Sequence, residues 1–210
     1  MMQISKRYLP MALERRTLFY LHYENDRIKK GIICLFDSYT NSVEQIAKFS
    51  TCLELYEVAT TKDKIFAIDS YDKSFEIFDL NTRQITRGPD PPAWRDASVA
   101  YCKDKLYYLG GFDIFEKKYT TNYVDVLIDG KWETGPAFPF LIRYVRPITC
   151  DESLYVIDGG HRKIYRLSDD EREWIKIGEL PEKRAYFEVA SLNGKIYMTG
   201  GQKSLILYDK

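Results

Sequence analysis

The sequence has no excess of either charge. Lys plus Arg and Asp plus Glu each number 31 in 210 residues, so no global field draws the chain to nucleic acid or to an anionic membrane. Long apolar runs are also missing. No segment approaches the roughly 18 consecutive apolar residues of a membrane span. The opening MMQISKRYLPMALERR carries Lys6, Arg7, Glu14, Arg15 and Arg16 in place of the apolar block of a secretory signal. Cysteine is sparse: Cys34, Cys52, Cys102 and Cys150 stand far apart with no C-x-x-C pair, which fits reduced thiols rather than a zinc site or a disulfide framework. Histidine is scarcer still. Neither His22 nor His161 has a Cys, His or acidic partner at ligand spacing, so no metal is expected, and no Tyr-Cys pair supports copper chemistry. A Ser-His-Asp arrangement, a phosphate-cradling glycine loop and a basic tract are all absent. The expectation is a cytoplasmic protein without a cofactor, bound to neither nucleic acid nor membrane.

What is present is apolar and aromatic. Apolar residues make up 45% and aromatics 15%, with 17 Tyr and 11 Phe, a composition tilted toward strand formers. Their arrangement repeats. KDKLYYLGGF carries Gly110 and Gly111, ESLYVIDGGH carries Gly159 and Gly160, and NGKIYMTGGQ carries Gly200 and Gly201. Aligned on the strand before each pair, five modules begin this strand at Leu18, Ile65, Leu106, Leu154 and Ile196, with separations of 47, 41, 48 and 42. The next residue is aromatic in all five: Phe19, Phe66, Tyr107, Tyr155 and Tyr197. Six residues before the Leu or Ile that opens this strand lie Ala12, Ala59, Ala100, Ile148 and Ala190, a small-residue column that implies strands converging where space is short.

Each module therefore reads as a meander of four strands, a to d. Polar turns such as TTKDK and LNGK join a to b. Strand c follows as ICLFD, FEIFD, DVLID, IYRL and LILYD, and strand d carries Val43, Ile85, Trp132 and Trp174. The modules run approximately over 7–53, 54–94, 95–142, 143–183 and 184–210, the last ending after strand c. Runs such as LYYL and IFAI are apolar on both faces, so each sheet needs cover on both sides. Neighbouring modules packed radially would supply it, and such an arrangement is a β-propeller.

The double glycine after an apolar strand, the Trp in strand d and the Pro-then-Arg connection resemble the kelch repeat, most fully in residues 95–181. The resemblance implies an all-β kelch propeller forming one domain, here with four complete blades and a fifth incomplete one. An open ring would expose terminal blade faces, so either closure or self-association is expected.

The resemblance also implies a protein or peptide partner. In kelch-type adaptors an arginine leading into strand a projects onto a face that grips an acidic peptide; the matching column is Arg7, Arg95, Arg143 and Arg184, broken by Glu54. Tyr23, Tyr71, Phe112, His161 and Gln202 follow strand b on the same face. The other reading of both sets is structural, with arginines pairing neighbouring blades and aromatics packing loops. Kelch propellers serve ubiquitin-ligase and cytoskeletal assemblies, and a recognition part of either is implied. A further column, Pro10, Glu57, Ser98, Arg146 and Glu188, raises a five-bladed glycan-binding or glycan-cleaving propeller, since paired carboxylates hydrolyse glycosides. Arg146 in that column points instead to an ion pair, and no catalytic residue is expected. Cys102 and Cys150 share a column and read as packing positions.

Overall fold

The computed structural model describes residues 7–13, 17–23, 30–37, 39–52, 56–69, 73–92, 97–111, 121–142 and 145–203. Among these every regular element is a strand, and the strands form antiparallel sheets in chain order. Sheet one holds β1 (Arg7–Leu13), β2 (Thr17–Tyr23), β3 (Lys30–Asp37) and β4 (Ser42–Cys52). Sheet two holds β5 (Tyr56–Thr60), β6 (Lys64–Asp69), β7 (Phe75–Asp79) and β8 (Gln84–Arg87). Sheet three holds β9 (Ser98–Cys102), β10 (Lys105–Leu109), β11 (Val124–Ile128) and β12 (Lys131–Thr134). Sheet four holds β13 (Val145–Cys150), β14 (Ser153–Asp158), β15 (Lys163–Leu167) and β16 (Trp174–Glu179). Sheet five shows β17 (Arg184–Leu192) and β18 (Lys195–Lys203). The strands expected as a to d in the first four modules, and as a and b in the fifth, are these; LILYD lies outside the described residues. Four-stranded meanders of this kind are consistent with propeller blades.

The turns explain why the chain folds back where it does. The residues linking β9 to β10, β13 to β14 and β17 to β18 are Lys103 and Asp104 (φ 47° and 59°), Asp151 and Glu152 (46° and 58°), and Asn193 and Gly194 (50° and 70°). Two successive residues at positive φ make a turn whose twist matches that of the flanking strands. Asp129 and Gly130, at 49° and 77°, do the same between β11 and β12. The β7–β8 turn is closed by a carboxylate: Asp79 Oδ1 accepts the amides of Asn81 at 2.9 Å and Thr82 at 2.8 Å. Asp37 Oδ1 plays the same part after β3, accepting from Tyr39 at 2.7 Å.

The chain divides into two compact units, residues 1–90 and 91–210. In the first, Ile33 and Phe49 of sheet one share a core with Ile65, Ala67 and Phe78 of sheet two. In the second, sheets three, four and five pack in sequence. Ala100, Tyr107, Leu109 and Val126 meet Val145, Leu154, Val156 and Trp174, and Ile157 with Leu180 meets Phe187, Val189 and Met198. The a strands cross-bond at the repeat period. Ser98 Oγ donates to Val145 O (2.9 Å, 47 residues on), Thr149 Oγ1 to Tyr101 O (2.7 Å, 48 residues back) and Arg146 Nε to Phe187 O (3.1 Å, 41 residues on). Within this unit the apolar cover that two-faced strands require does come from the neighbouring module.

The connection between modules three and four is equally built in. Phe138 stacks on Trp174 with centroids 4.3 Å apart and planes 14° apart, a pairing worth about 1 kcal/mol beyond its buried area. Trp174 Nε1 donates to Pro136 O at 2.7 Å. Trp132 instead meets Tyr108 of its own sheet, with centroids 6.0 Å apart, so the two tryptophans of one column do different work.

Candidate loop face of modules four and five

Two of the glycine pairs and one member of the arginine column, Arg184, meet at the start of β17. Arg184 N donates to Gly159 O of the preceding module at 3.0 Å, and its guanidinium donates to Gly200 O of its own module at 3.0 Å and pairs with Glu182. A β-carbon on Gly159 would fall 1.9 Å from Arg184 O, and one on Gly201 2.9 Å from Ala185 O. Glycine is needed on both sides because the backbone of β17 passes too close for a side chain. At Gly110 and Gly200 the backbone itself demands glycine, with φ of 59° and 71°. Gly111 closes the loop differently, its carbonyl accepting from Thr121 N at 3.0 Å, while Gly160 is buried.

His161 follows the second glycine of module four and stands exposed on this face. Its imidazole is 52% exposed, yet its Nδ1 lies 2.7 Å from Asp158 Oδ2, and Asp158 is 1% exposed. The other carboxylate oxygen accepts the His161 amide at 3.0 Å. An ionised Asp158 accepts a hydrogen bond from Nδ1–H, which fixes the ring and, in the neutral imidazole, leaves Nε2 as an oriented acceptor. The ring of Phe140 lies 5.2 Å away at 60°, and Lys163 Nζ sits 4.9 Å from the Phe140 centroid. Tyr165 underlies the group, its ring 5.4 Å from that of Phe140. Burial pushes its hydroxyl up to about 12, with the Asp158 and Glu179 charges adding to the effect. Leu141, next to Phe140 in the chain, is exposed.

His161 and Arg184 are thus brought to the loops flanking Gly159. Arg95, Arg143, Tyr71 and Phe112 lie outside the described residues, as does Glu54. Gln202 sits in β18 opposite Ala185, Arg7 in β1 opposite Leu21, His22 in β2 opposite Ile32, and Tyr23 in β2 opposite Gly31. The expectation that His161 has no acidic partner is corrected by Asp158. An aspartate inserted between the apolar run LYVI and the glycines, where LYYL passes straight into them, was the available signal. A second glycine column went unread as well: Gly88 and Gly135 each stand three residues after the strand-d marker, and a β-carbon there would lie 2.2 Å from Phe75 Cδ1 or 2.7 Å from Val126 Cγ2.

The carboxylate column resolves into a contact between sheets. Arg146 Nη2 lies 3.4 Å from Glu188 Oε1, the ion pair that a base among acids implied; Ser98 is buried. Cys102 and Cys150 are both buried. Burial raises both thiol pKa values, which keeps them protonated and suits packing rather than nucleophilic chemistry. Between sheets three and four, Lys105 pairs with Glu171, and Tyr107 Oη donates to the same carboxylate at 3.2 Å. Among the described residues no group of three His, Cys, Asp or Glu is gathered as a metal-ligand set. No helix among them is long and apolar enough to cross a membrane.

No family model matches the chain. It is 22% identical over 190 residues to kelch-like protein 35 of Mus musculus, an alignment that covers 87% of this chain and 33% of that protein. The chain therefore spans about a third of the relative's length and is distantly similar to a kelch-like protein over most of its own.

Proposed function

We propose that the chain is a kelch-type β-propeller module, non-catalytic, that binds a protein or peptide through the loops leaving strand b and entering strand a. The observation that carries this reading is the convergence at Gly159. Repeat packing holds the Arg184 backbone against that glycine, while buried Asp158 orients the exposed His161 beside Phe140. A rigid scaffold displaying an oriented polar group next to aromatic surface is what recognition without chemistry requires. The distant similarity to a kelch-like protein supports the same class.

In this reading the binding residues are Arg95, Arg143, Arg184, Tyr71, Phe112, His161 and Gln202, and the partner is an acidic peptide or protein. Arg184 already serves Glu182 and Gly200, so it acts chiefly by holding the loop, and Arg95 and Arg143 are the members of the column to test first. The five modules form one propeller domain of a cytoplasmic protein, and a place in a ubiquitin-ligase or cytoskeletal assembly rests on which partner is bound. A glycosidase reading gains nothing from Glu188, whose carboxylate is engaged by Arg146.

Selection of peptides from a random display library on the purified chain tests the proposal. Convergent, acid-containing sequences are expected on the wild type and their loss on an Arg95→Ala, Arg143→Ala double variant with unchanged melting temperature. The same sequences on both proteins, or no convergence on the wild type, would contradict it.

A further inference from the structure

The Asp158–His161 pair decides what this part of the loop face can hold. Asp158 is buried, and both of its oxygens go to His161: Oδ1 accepts the amide at 3.0 Å and Oδ2 lies 2.7 Å from Nδ1. Against an ionised carboxylate, Nδ1 must carry the proton of that bond. The half-exposed ring then has Nε2 left to offer a partner.

An acidic partner sets a requirement at that atom. A carboxylate only accepts hydrogen bonds, and so does the Nε2 of a neutral ring whose proton is on Nδ1. Two acceptors do not bond. A ring placed between Asp158 and a partner carboxylate satisfies both only as imidazolium, which presents a donor on each side. The surroundings suit an anion as well, because Lys163 Nζ, 4.9 Å from the centroid of Phe140, borders the same aromatic ring that lies 5.2 Å from the imidazole.

Resting on the acidic-partner reading above, we infer that His161 takes up a proton when the partner binds, so that the loop face holds acidic segments more tightly as pH falls from about 8 to about 6. Binding that takes up a proton strengthens as pH falls, and the gain fades as pH rises through the point where the bound ring would lose that proton. The other described groups packed about the ring keep their charge over this range. Burial pushes the Tyr165 hydroxyl of β15 up to about 12, so it stays neutral. Glu179 of β16 is held below the ordinary carboxylate range by its bond from Lys176 and stays ionised. The cations are Lys163, Arg162, whose Nε donates to Leu180 O at 2.8 Å, and Arg184, which pairs with Glu182; lysine and arginine do not titrate in this interval, whereas imidazole does.

The test is calorimetric titration of a display-selected acidic peptide that lacks histidine, in phosphate and in Tris at about pH 7.5, with affinities also measured at about pH 6 and about pH 8. The two buffers differ in ionisation heat, so a difference in binding heat between them counts the protons taken up. The wild type should take up a proton and bind about tenfold more tightly at the lower pH than at the higher. His161→Gln, checked for an unchanged melting temperature, keeps a polar group without a titrating nitrogen and should bind with no proton uptake and with equal affinity at both ends. Binding by the wild type without proton uptake, or the same pH dependence in His161→Gln, overturns the inference and leaves the loop face standing. If no acidic peptide binds at any pH, the reading of the face falls and the inference falls with it.

Discussion

The carbonyl oxygen of Arg184 occupies the place where a β-carbon on Gly159 would lie, at 1.9 Å. This contact joins consecutive modules, since Arg184 N also donates to Gly159 O at 3.0 Å. Gly159→Ala must displace either β17 or the end of β14, at about 3 kcal/mol, the upper end of what overpacking usually costs. For a chain of this size that lowers the melting temperature by roughly 6–12 °C. Gly178→Ala is the control, because its new β-carbon meets only Ile164, at 3.7 Å and beyond. Thermal melts of the two variants should differ by most of that interval; equal melts would mean that β17 is not held against Gly159.

The hairpin turns carry a cost that one substitution can relieve. Glu152 sits at φ 58° between β13 and β14, in the position that glycine occupies in the Asn193-Gly194 turn of module five. Only glycine adopts this conformation freely, and a side chain there costs about 1 kcal/mol or more, offset in part by the entropy glycine loses on folding. Glu152→Gly is expected to stabilise by about 0.5 kcal/mol, read as a small rise in melting temperature. A fall would show that the side chain of Glu152 contributes more than its backbone conformation costs.

Acid should loosen the first unit at an identifiable turn. The amide of Thr82 above all, with that of Asn81, holds the Asp79 carboxyl below the ordinary aspartate range. A carboxylate whose folded-state pKa is depressed gives stability that is complete above its unfolded pKa, near pH 4, and lost as pH falls through the lower folded value. Asp79→Asn removes that linkage. Melting temperatures of the wild type and variant should therefore converge as pH drops from neutrality to about 2.5. A gap that stays constant across the range would contradict the role given to the carboxylate.

The strands were legible because they repeat. A column that is aromatic in five modules, with alanine seven residues before it in four of them, locates strands a and b independently of local propensity, and the register confirms the pairing of Ala59 with Phe66, Ala100 with Tyr107 and Ala190 with Tyr197. Less legible was everything that depends on how one module leans on the next. Trp174 reaches the carbonyl of Pro136, 38 residues away, and Arg184 divides its donors between two glycine pairs, neither of which is visible as spacing. Asp158 escaped because motif reasoning looks for ligand sets, whereas a buried carboxylate orienting one histidine is a pairwise contact created by the turn after β14. Gly88 and Gly135 escaped because single glycines after strand d carry no pattern until Phe75 and Val126 are seen beneath them.

The central claim is that the loops around Gly159 form a binding surface, and calorimetric titration of a display-selected peptide against wild type, His161→Ala and Tyr197→Glu tests it most directly. Losing an oriented polar contact at a binding site costs about 1–3 kcal/mol, so His161→Ala should weaken binding roughly tenfold or more, while Tyr197→Glu, at an exposed position of β18, should leave the affinity unchanged. If His161→Ala binds as tightly as the wild type, or if only Tyr197→Glu abolishes binding, the recognition surface lies elsewhere and the account of the loop face is wrong.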